Sequence, residues 1–336
     1  MNLEQIVERL CMAPGLSGRE DAARDAARSI MEELELGRCE VTPLGSLLCH
    51  MNEGEAPVML EAHLDQIGLV VTHVEDGFLR VANCGGMDRR LLPAQRVTVH
   101  TASGPRLCVV ASTPPHLKGD DAPPKWKDIL LDTGYSAEKA KEIFAPGDAV
   151  TAQAAFTKLA GERVTAPALD DRAGCAAVIW AAKLLKEAGC KRSVVLALCS
   201  FEELGGQGAA TAAFEAKPCC CYSVDVSFAL APALAETKCG KLGEGPMVGV
   251  APVLSRTMTQ GLLDLAAANG IATQLEVMGG ATGTDADKIV STGRGIPTAL
   301  LSIPQRNMHT PVEVVDLKDI ENTARLMALA VKEGDK

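Results

Sequence analysis

The sequence predicts an α/β fold, a largely parallel sheet with helices on both faces, into which a small β-rich domain is inserted. Three observations lead there. From Val164 onward, apolar strand-like runs alternate with segments of helical periodicity, the order expected of a layered sheet covered by helices. Between about residues 68 and 163 the runs are short and alternating, and Gly, Asn, Asp and Pro separate them, as in a small β module. His63, Glu202, Glu203, Asp225 and His309 each fall at or just beyond the end of an apolar run. In open α/β sheets that is where ligands bind.

The elements follow in order. Leu3, Ile6, Val7 and Leu10 form one apolar helical stripe, and residues 19–36 read as a second amphipathic helix. Residues 57–62 are short and apolar enough for a buried strand, with His63 at its end. In the β-rich part, residues 69–74, 78–81, 96–100 and 106–112 read as strands. Residues 114–124 read as a Pro- and Asp-rich loop, and residues 136–144 as a helix. After Val164, helices are expected at 172–188, 206–216, 255–269, 285–291 and 316–333. Strands are expected at 193–200, 221–226, 272–277 and 298–303. The expected organisation is one domain from residues 1–67 and 164–336, with residues 68–163 inserted in it.

Composition narrows the function. With 336 residues, two domains are the natural expectation. Six phenylalanines, two tyrosines and two tryptophans leave the core to aliphatic residues. A net charge of −10 argues against a nucleic-acid or anionic-membrane partner, since both need a basic face. No window reaches the roughly 18 apolar residues of a membrane span. The N-terminus lacks the basic start and apolar stretch of a signal peptide. Twelve cysteines sit largely within apolar runs and form no C-x-x-C pair, so reduced thiols and a cytoplasmic location are expected.

Each polar residue at a run end has a plain alternative. His63 and Asp65 share one side of an extended segment, so Asp65 is suited to orient the ring of a metal-binding His63; a solvated strand end would look the same. Asp171 could simply cap the helix that follows, or Asp170-Asp171 could serve a dinuclear site through one bridging carboxylate. Glu202-Glu203 ends a core strand. On an extended segment adjacent residues point apart, so one could bind metal while its neighbour faces a water; a charged turn opening the next helix is the alternative. Asp225, between Val224 and Val226, is costly to bury unless something pairs it. His309 lies in a loop after residues 298–303. Together these supply two histidines and three carboxylates, a donor set suited to Zn²⁺, Co²⁺ or Mn²⁺, with Glu202 left as a base. Two other motifs lead nowhere. Asp132-Thr-Gly134 matches an aspartic-protease triplet, but no second copy exists to share its proton, so a turn is expected. Gly243 to Gly249 is glycine-rich but lacks the P-loop lysine.

Six segments taken in order resemble the M42 family of metallopeptidases over nearly the whole chain. They are Glu61-Ala-His-Leu-Asp-Gln-Ile-Gly68, Ala168-Leu-Asp-Asp-Arg-Ala-Gly-Cys175, Glu202-Glu-Leu-Gly-Gly-Gln-Gly-Ala209, Ser223-Val-Asp-Val226, Gly283-Thr-Asp-Ala286 and His309-Thr-Pro-Val-Glu313. The resemblance implies a cytoplasmic aminopeptidase acting on short peptides with a free N-terminus through two divalent ions. Asp170 would bridge the ions, His63 and Asp225 would complete one, Glu203 and His309 the other, and Glu202 would be the general base. It also implies a cis peptide between Asp170 and Asp171, a dimerisation role for residues 68–163, and dimers that join into a tetrahedral dodecamer. The stretch after Asp225 is less polar than in relatives, which leaves substrate preference open. Arg306, three residues before His309, could face the cleft and favour an acidic N-terminal residue, or could be a surface arginine. Rival readings are a deacylase or carboxypeptidase on the same scaffold, and a non-catalytic assembly protein stabilised by metal.

Overall fold

The computed structural model describes residues 1–117, 122–232 and 234–333. Part of the loop expected at 114–124, residues 118–121, lies outside the described residues. The chain opens with helices α1 (Leu3–Met12) and α2 (Asp21–Glu33). Asn2 caps α1 reciprocally with Gln5: the Asn2 side chain accepts from the Gln5 N–H at 2.9 Å, and the Gln5 side chain accepts from the Asn2 N–H at 3.0 Å. A hairpin, β1 (Arg38–Val41) and β2 (Leu47–Met51), leads into β3 (Val58–His63).

The next six strands close into a barrel. They are β4 (Gly68–Glu75), β5 (Phe78–Cys84), β6 (Arg96–Thr101), β7 (Gly104–Val110), β8 (Leu130–Asp132) and β9 (Ala149–Ala152), in the order β4-β5-β8-β7-β6-β9. Inward residues such as Val71, Leu79, Val97, Val99, Val110 and Leu131 fill it, and Ala140 and Phe144, on and just after α3 (Ala137–Ile143), join this core. The Asp132-Thr-Gly134 triplet is a turn before α3, with the Gly134 N–H bonded to the Asp132 carboxylate at 2.9 Å. The chain leaves the barrel through β10 (Thr157–Lys158) and β11 (Arg163–Ala166).

Then come α4 (Leu169–Glu187), β12 (Val194–Cys199), α5 (Gln207–Ala216), β13 (Cys220–Phe228), β14 (Met247–Val250), α6 (Arg256–Ala268) and β15 (Gln274–Val277). The chain closes with α7 (Ala286–Ile289), β16 (Thr298–Gln305), β17 (Glu313–Asp316) and α8 (Leu317–Glu333). The main sheet runs β1-β2-β12-β3-β13-β16-β14-β15. Its four central strands, β12, β3, β13 and β16, are parallel, and β2 and β14 run antiparallel to them on either side. That centre is covered on both faces, which is why its strands read as largely apolar runs. Helices α1, α2, α4, α6 and α8 pack on one face, and α5 and α7 on the other. A separate small sheet, β10-β11-β17, ties the end of the barrel segment to the strand before α8. Among the described residues no helix is long and apolar enough to cross a membrane.

Candidate metal centre and active site

Every polar residue singled out at a run end lies at the carboxyl edge of the four parallel strands. His63 is the last residue of β3, buried, on the face covered by α5 and α7. Asp225 lies on β13 with its neighbours Val224 and Val226 in the opposite core. Asp170 opens α4, after Ala168 has taken a left-handed backbone conformation, and the Asp170–Asp171 peptide is cis. Glu203 follows β12, and His309 sits in the loop between β16 and β17.

Asp170 joins the cluster. Its Oδ1 is 3.0 Å from His63 Nε2, and its Oδ2 is 3.3 Å from His309 Nε2. His63 Nε2 is also 3.9 Å from Asp225 Oδ1, and His309 Nε2 is 3.3 Å from Glu203 Oε1. Two of the three groups of potential metal ligands among the described residues fall here, His63, Asp171 and Asp225, and Asp170, Glu203 and His309, each with donor atoms within 4.8 Å of one another; the third is Glu61, Cys199 and Asp285. The donor chemistry fits divalent cations, with imidazole nitrogens and carboxylate oxygens aimed at common points.

The electrostatics point the same way. Burial disfavours charge on Asp170, yet hydrogen bonds from His309 and His63 outweigh it and hold the carboxyl well below the usual range. His309 is pushed up to about 11 by Asp170 and then Glu203. Burial works against the His63 cation, but Asp170 and Asp65 still raise it well above its ordinary value. Asp225 rises through burial, with His63 opposing the shift and neighbouring carboxylates adding to it. This is a concentration of acid that calls for positive charge.

Two further carboxylates hold the candidate ligands in place. Asp65 is fully buried and 3.5 Å from His63 Nδ1. It accepts the backbone N–H groups of Glu202 (3.0 Å) and Glu203 (3.2 Å) and the Ser17 hydroxyl. Glu202 and Glu203 are not on an extended segment. Phe201 turns into the left-handed region and the pair forms a single 3₁₀ turn, Glu202–Leu204, that Asp65 anchors. On the other side, Glu313 accepts from Asp170 N at 3.0 Å and from His309 N at 2.9 Å. Glu313 lies within one of the family-like segments, but nothing local marks its task, since its strand, four residues long, is too short for periodicity to do so. Asp171 fulfils its plain alternative, accepting from Gly174 N at 2.9 Å, while its other oxygen is buried beside His63 and Asp225 with no hydrogen-bond partner among the described residues. Glu202 borders the cleft, and burial pushes it up to about 7, with His63 opposing and Glu203 and Asp65 adding to the shift.

The barrel also reaches the site. His309 Nδ1 lies 3.1 Å from the Gly86 carbonyl just after β5, so Nδ1–H donates and Nε2 is left to face the acids. Arg306 turns elsewhere: its Nε–H donates to the Leu230 carbonyl at 2.7 Å, and it does not line the cleft beside the acids.

A parallel-centred sheet with acids and histidines clustered at its carboxyl edge defines a metallopeptidase-type hydrolase. The chain belongs to the M42 family, whose glutamyl aminopeptidase model matches residues 45–326. It is 33% identical to a lysyl aminopeptidase of Pyrococcus furiosus, over 98% of this chain and 96% of that one. An aminopeptidase of the archaeon Desulfurococcus kamchatkensis superposes with a TM-score of 0.91 at 30% identity, covering 98% of this chain and 94% of that one. The TET1 peptidase of Pyrococcus horikoshii, which can assemble into a tetrahedron or a large octahedral shell, superposes at 0.87 with 32% identity, covering 98% of each chain. The protein is a metal-dependent aminopeptidase, a hydrolase of peptide bonds.

Proposed function

We propose that the chain removes N-terminal residues from short peptides using two divalent ions, with Asp170 shared between them, His63 and Asp225 completing one and Glu203 and His309 the other. The observation that carries this reading is the division of the Asp170 carboxylate, one oxygen towards His63 and the other towards His309. When bound, the ions supply Lewis acidity, which acidifies water and polarises the scissile carbonyl. Zn²⁺, Co²⁺ and Mn²⁺ all suit the donors. Glu202, which borders the cleft, takes the proton from the attacking water and returns it to the leaving amine. Asp65 holds Glu202 and Glu203 by their backbone N–H groups and keeps His63 oriented.

Residues 68–163 form the dimerisation domain in this reading, beside a catalytic domain of residues 1–67 and 164–336, and dimers build a larger shell in the cytoplasm. Leu107 and Val109, exposed on the outer side of β7, support an association surface there.

Replacing Glu202 by Gln is expected to leave metal content unchanged and to lower kcat by about 10²–10⁴-fold, the usual share of a general base. The measurement is metal analysis beside turnover of free-amine and N-acetylated aminoacyl chromogenic substrates with each metal. Near-normal turnover by the variant removes Glu202 from the mechanism, and equal cleavage of acetylated substrates overturns the aminopeptidase reading.

A further inference from the structure

One acid in the cleft is left over from the metal centre. The cleft beside Asp170, Glu202, Glu203 and Asp225 has a volume of about 490 Å³, and Glu276 of β15 is a further carboxylate in its lining. Glu276 bonds none of the metal-centre residues. It accepts from the Ser227 hydroxyl of β13 through Oε1 and from the Ser302 hydroxyl of β16 through Oε2, the latter at 2.5 Å.

The sheet explains how an edge-strand residue reaches there. β15 is separated from β16 by β14, and the residue of β14 that pairs with Glu276 is Gly249. A Cβ at Gly249 would lie 3.0 Å from Leu300 Cβ, on the face that Glu276 crosses, so the missing side chain leaves room for the carboxylate to reach Ser302 and Ser227. Ser227 is two residues beyond Asp225 on the same face of β13, and Ser302 is the register partner of Asp225 on β16, so the Glu276 carboxylate lies in the same cleft as Asp225. Phe228, Met278 and Met308 supply apolar surface to the same cleft, and none of the residues lining it is Lys or Arg.

Two serine hydroxyls occupy only part of a carboxylate's accepting capacity, which is about four lone-pair sites. The remaining capacity faces a cleft to which the described residues contribute no Lys or Arg. We propose that Glu276, held by Ser227 and Ser302, is the floor of the pocket for the substrate's N-terminal side chain and selects lysine or arginine. The aliphatic stem lies along Phe228, Met278 and Met308 while the charged head reaches the carboxylate. An N-terminal Glu or Asp meets only negative charge there. This assignment rests on the aminopeptidase reading above.

The test is kcat/KM for Lys, Arg, Leu, Met and Glu p-nitroanilides with the metal-loaded enzyme, together with calorimetric binding of L-lysinamide and L-glutamic acid amide. The wild type is expected to favour Lys and Arg over Glu. Glu276→Gln is expected to lower the Lys/Leu ratio of kcat/KM about 10–100-fold, mainly through KM, as for loss of one charge-assisted hydrogen bond. Glu276→Lys is expected to turn the preference towards Glu. Equal losses on all substrates in Glu276→Gln, or a wild type that cleaves Glu as well as Lys, overturns the assignment. Should no free-amine substrate be cleaved while lysinamide binds in a Glu276-dependent way, the catalytic reading fails and the pocket stands. Absence of selective lysinamide binding sinks the pocket whatever the turnover.

Discussion

Asp65 and Glu313 occupy matching places on the two sides of the candidate metal centre. Each is a buried carboxylate that accepts two backbone N–H groups from ligand-bearing segments, Glu202 and Glu203 in one case, Asp170 and His309 in the other. A buried carboxylate satisfied in this way fixes the backbone from which the ligands project. Glu202 is different, since its carboxyl is free to exchange a proton. It must be ionised to accept one, so kcat/KM rises with pH on the acid side of the profile. Burial lifts the group to about 7, and bound cations draw it back towards the ordinary value of about 4.3. The acid limb is therefore expected between those values, read from kcat/KM against pH with metal held saturating. A profile that shows no limb in that interval removes Glu202 as the titrating base.

At the scale of elements, the loop after β5 meets the loop after β16. The Gly86 carbonyl orients His309, and a Cβ at Gly86 would fall 2.5 Å from His309 Nδ1. Gly86→Ala is expected to displace the ring and to cost about 10–100-fold in metal affinity or turnover, as for other groups that orient a metal ligand. Metal titration and kinetics, with circular dichroism to confirm folding, check it; unchanged values would free His309 from dependence on the barrel. Legible in the sequence were the central strands β3, β12, β13 and β16, buried on both faces and largely apolar, and the barrel strands β4 to β7, whose short alternating runs stand where they were expected. The hairpin β1-β2 and strand β14 were not legible. Their short runs carry Arg, Glu, His and Gly, and pairing with a neighbour, more than local pattern, makes them strands. The helix expected over residues 285–291 shortens to Ala286–Ile289, and the strand expected from 272 begins at Gln274.

For the whole molecule, the outer face of the barrel bears on assembly. Along β7, Cys108 and Val110 face the barrel core while Leu107 and Val109 point outward, 53% and 43% exposed. A half-apolar strand face of this kind invites a second copy of the chain. The double variant Leu107→Asp with Val109→Asp is expected to reduce the molecular mass seen by light scattering, with far-UV circular dichroism unchanged. An unaltered mass would move the contact off this face.

Local pattern determined the apolar strands, the inserted β-rich stretch and the placement of acids and histidines at run ends, because each depends on residues within a few positions of one another. Their order along the chain was enough to tie those positions to one family. Tertiary structure alone decided the rest: that Asp170 stands between His63 and His309, that Glu313 holds both of their segments, that Gly86 from the barrel orients His309, and that Glu276 crosses β14 to reach Ser227 and Ser302. These contacts join residues far apart in the chain, and their geometry follows from how sheet, barrel and loops pack. The acids and histidines that the sequence places at run ends come together as a candidate metal centre only because four parallel strands bring their ends to one edge.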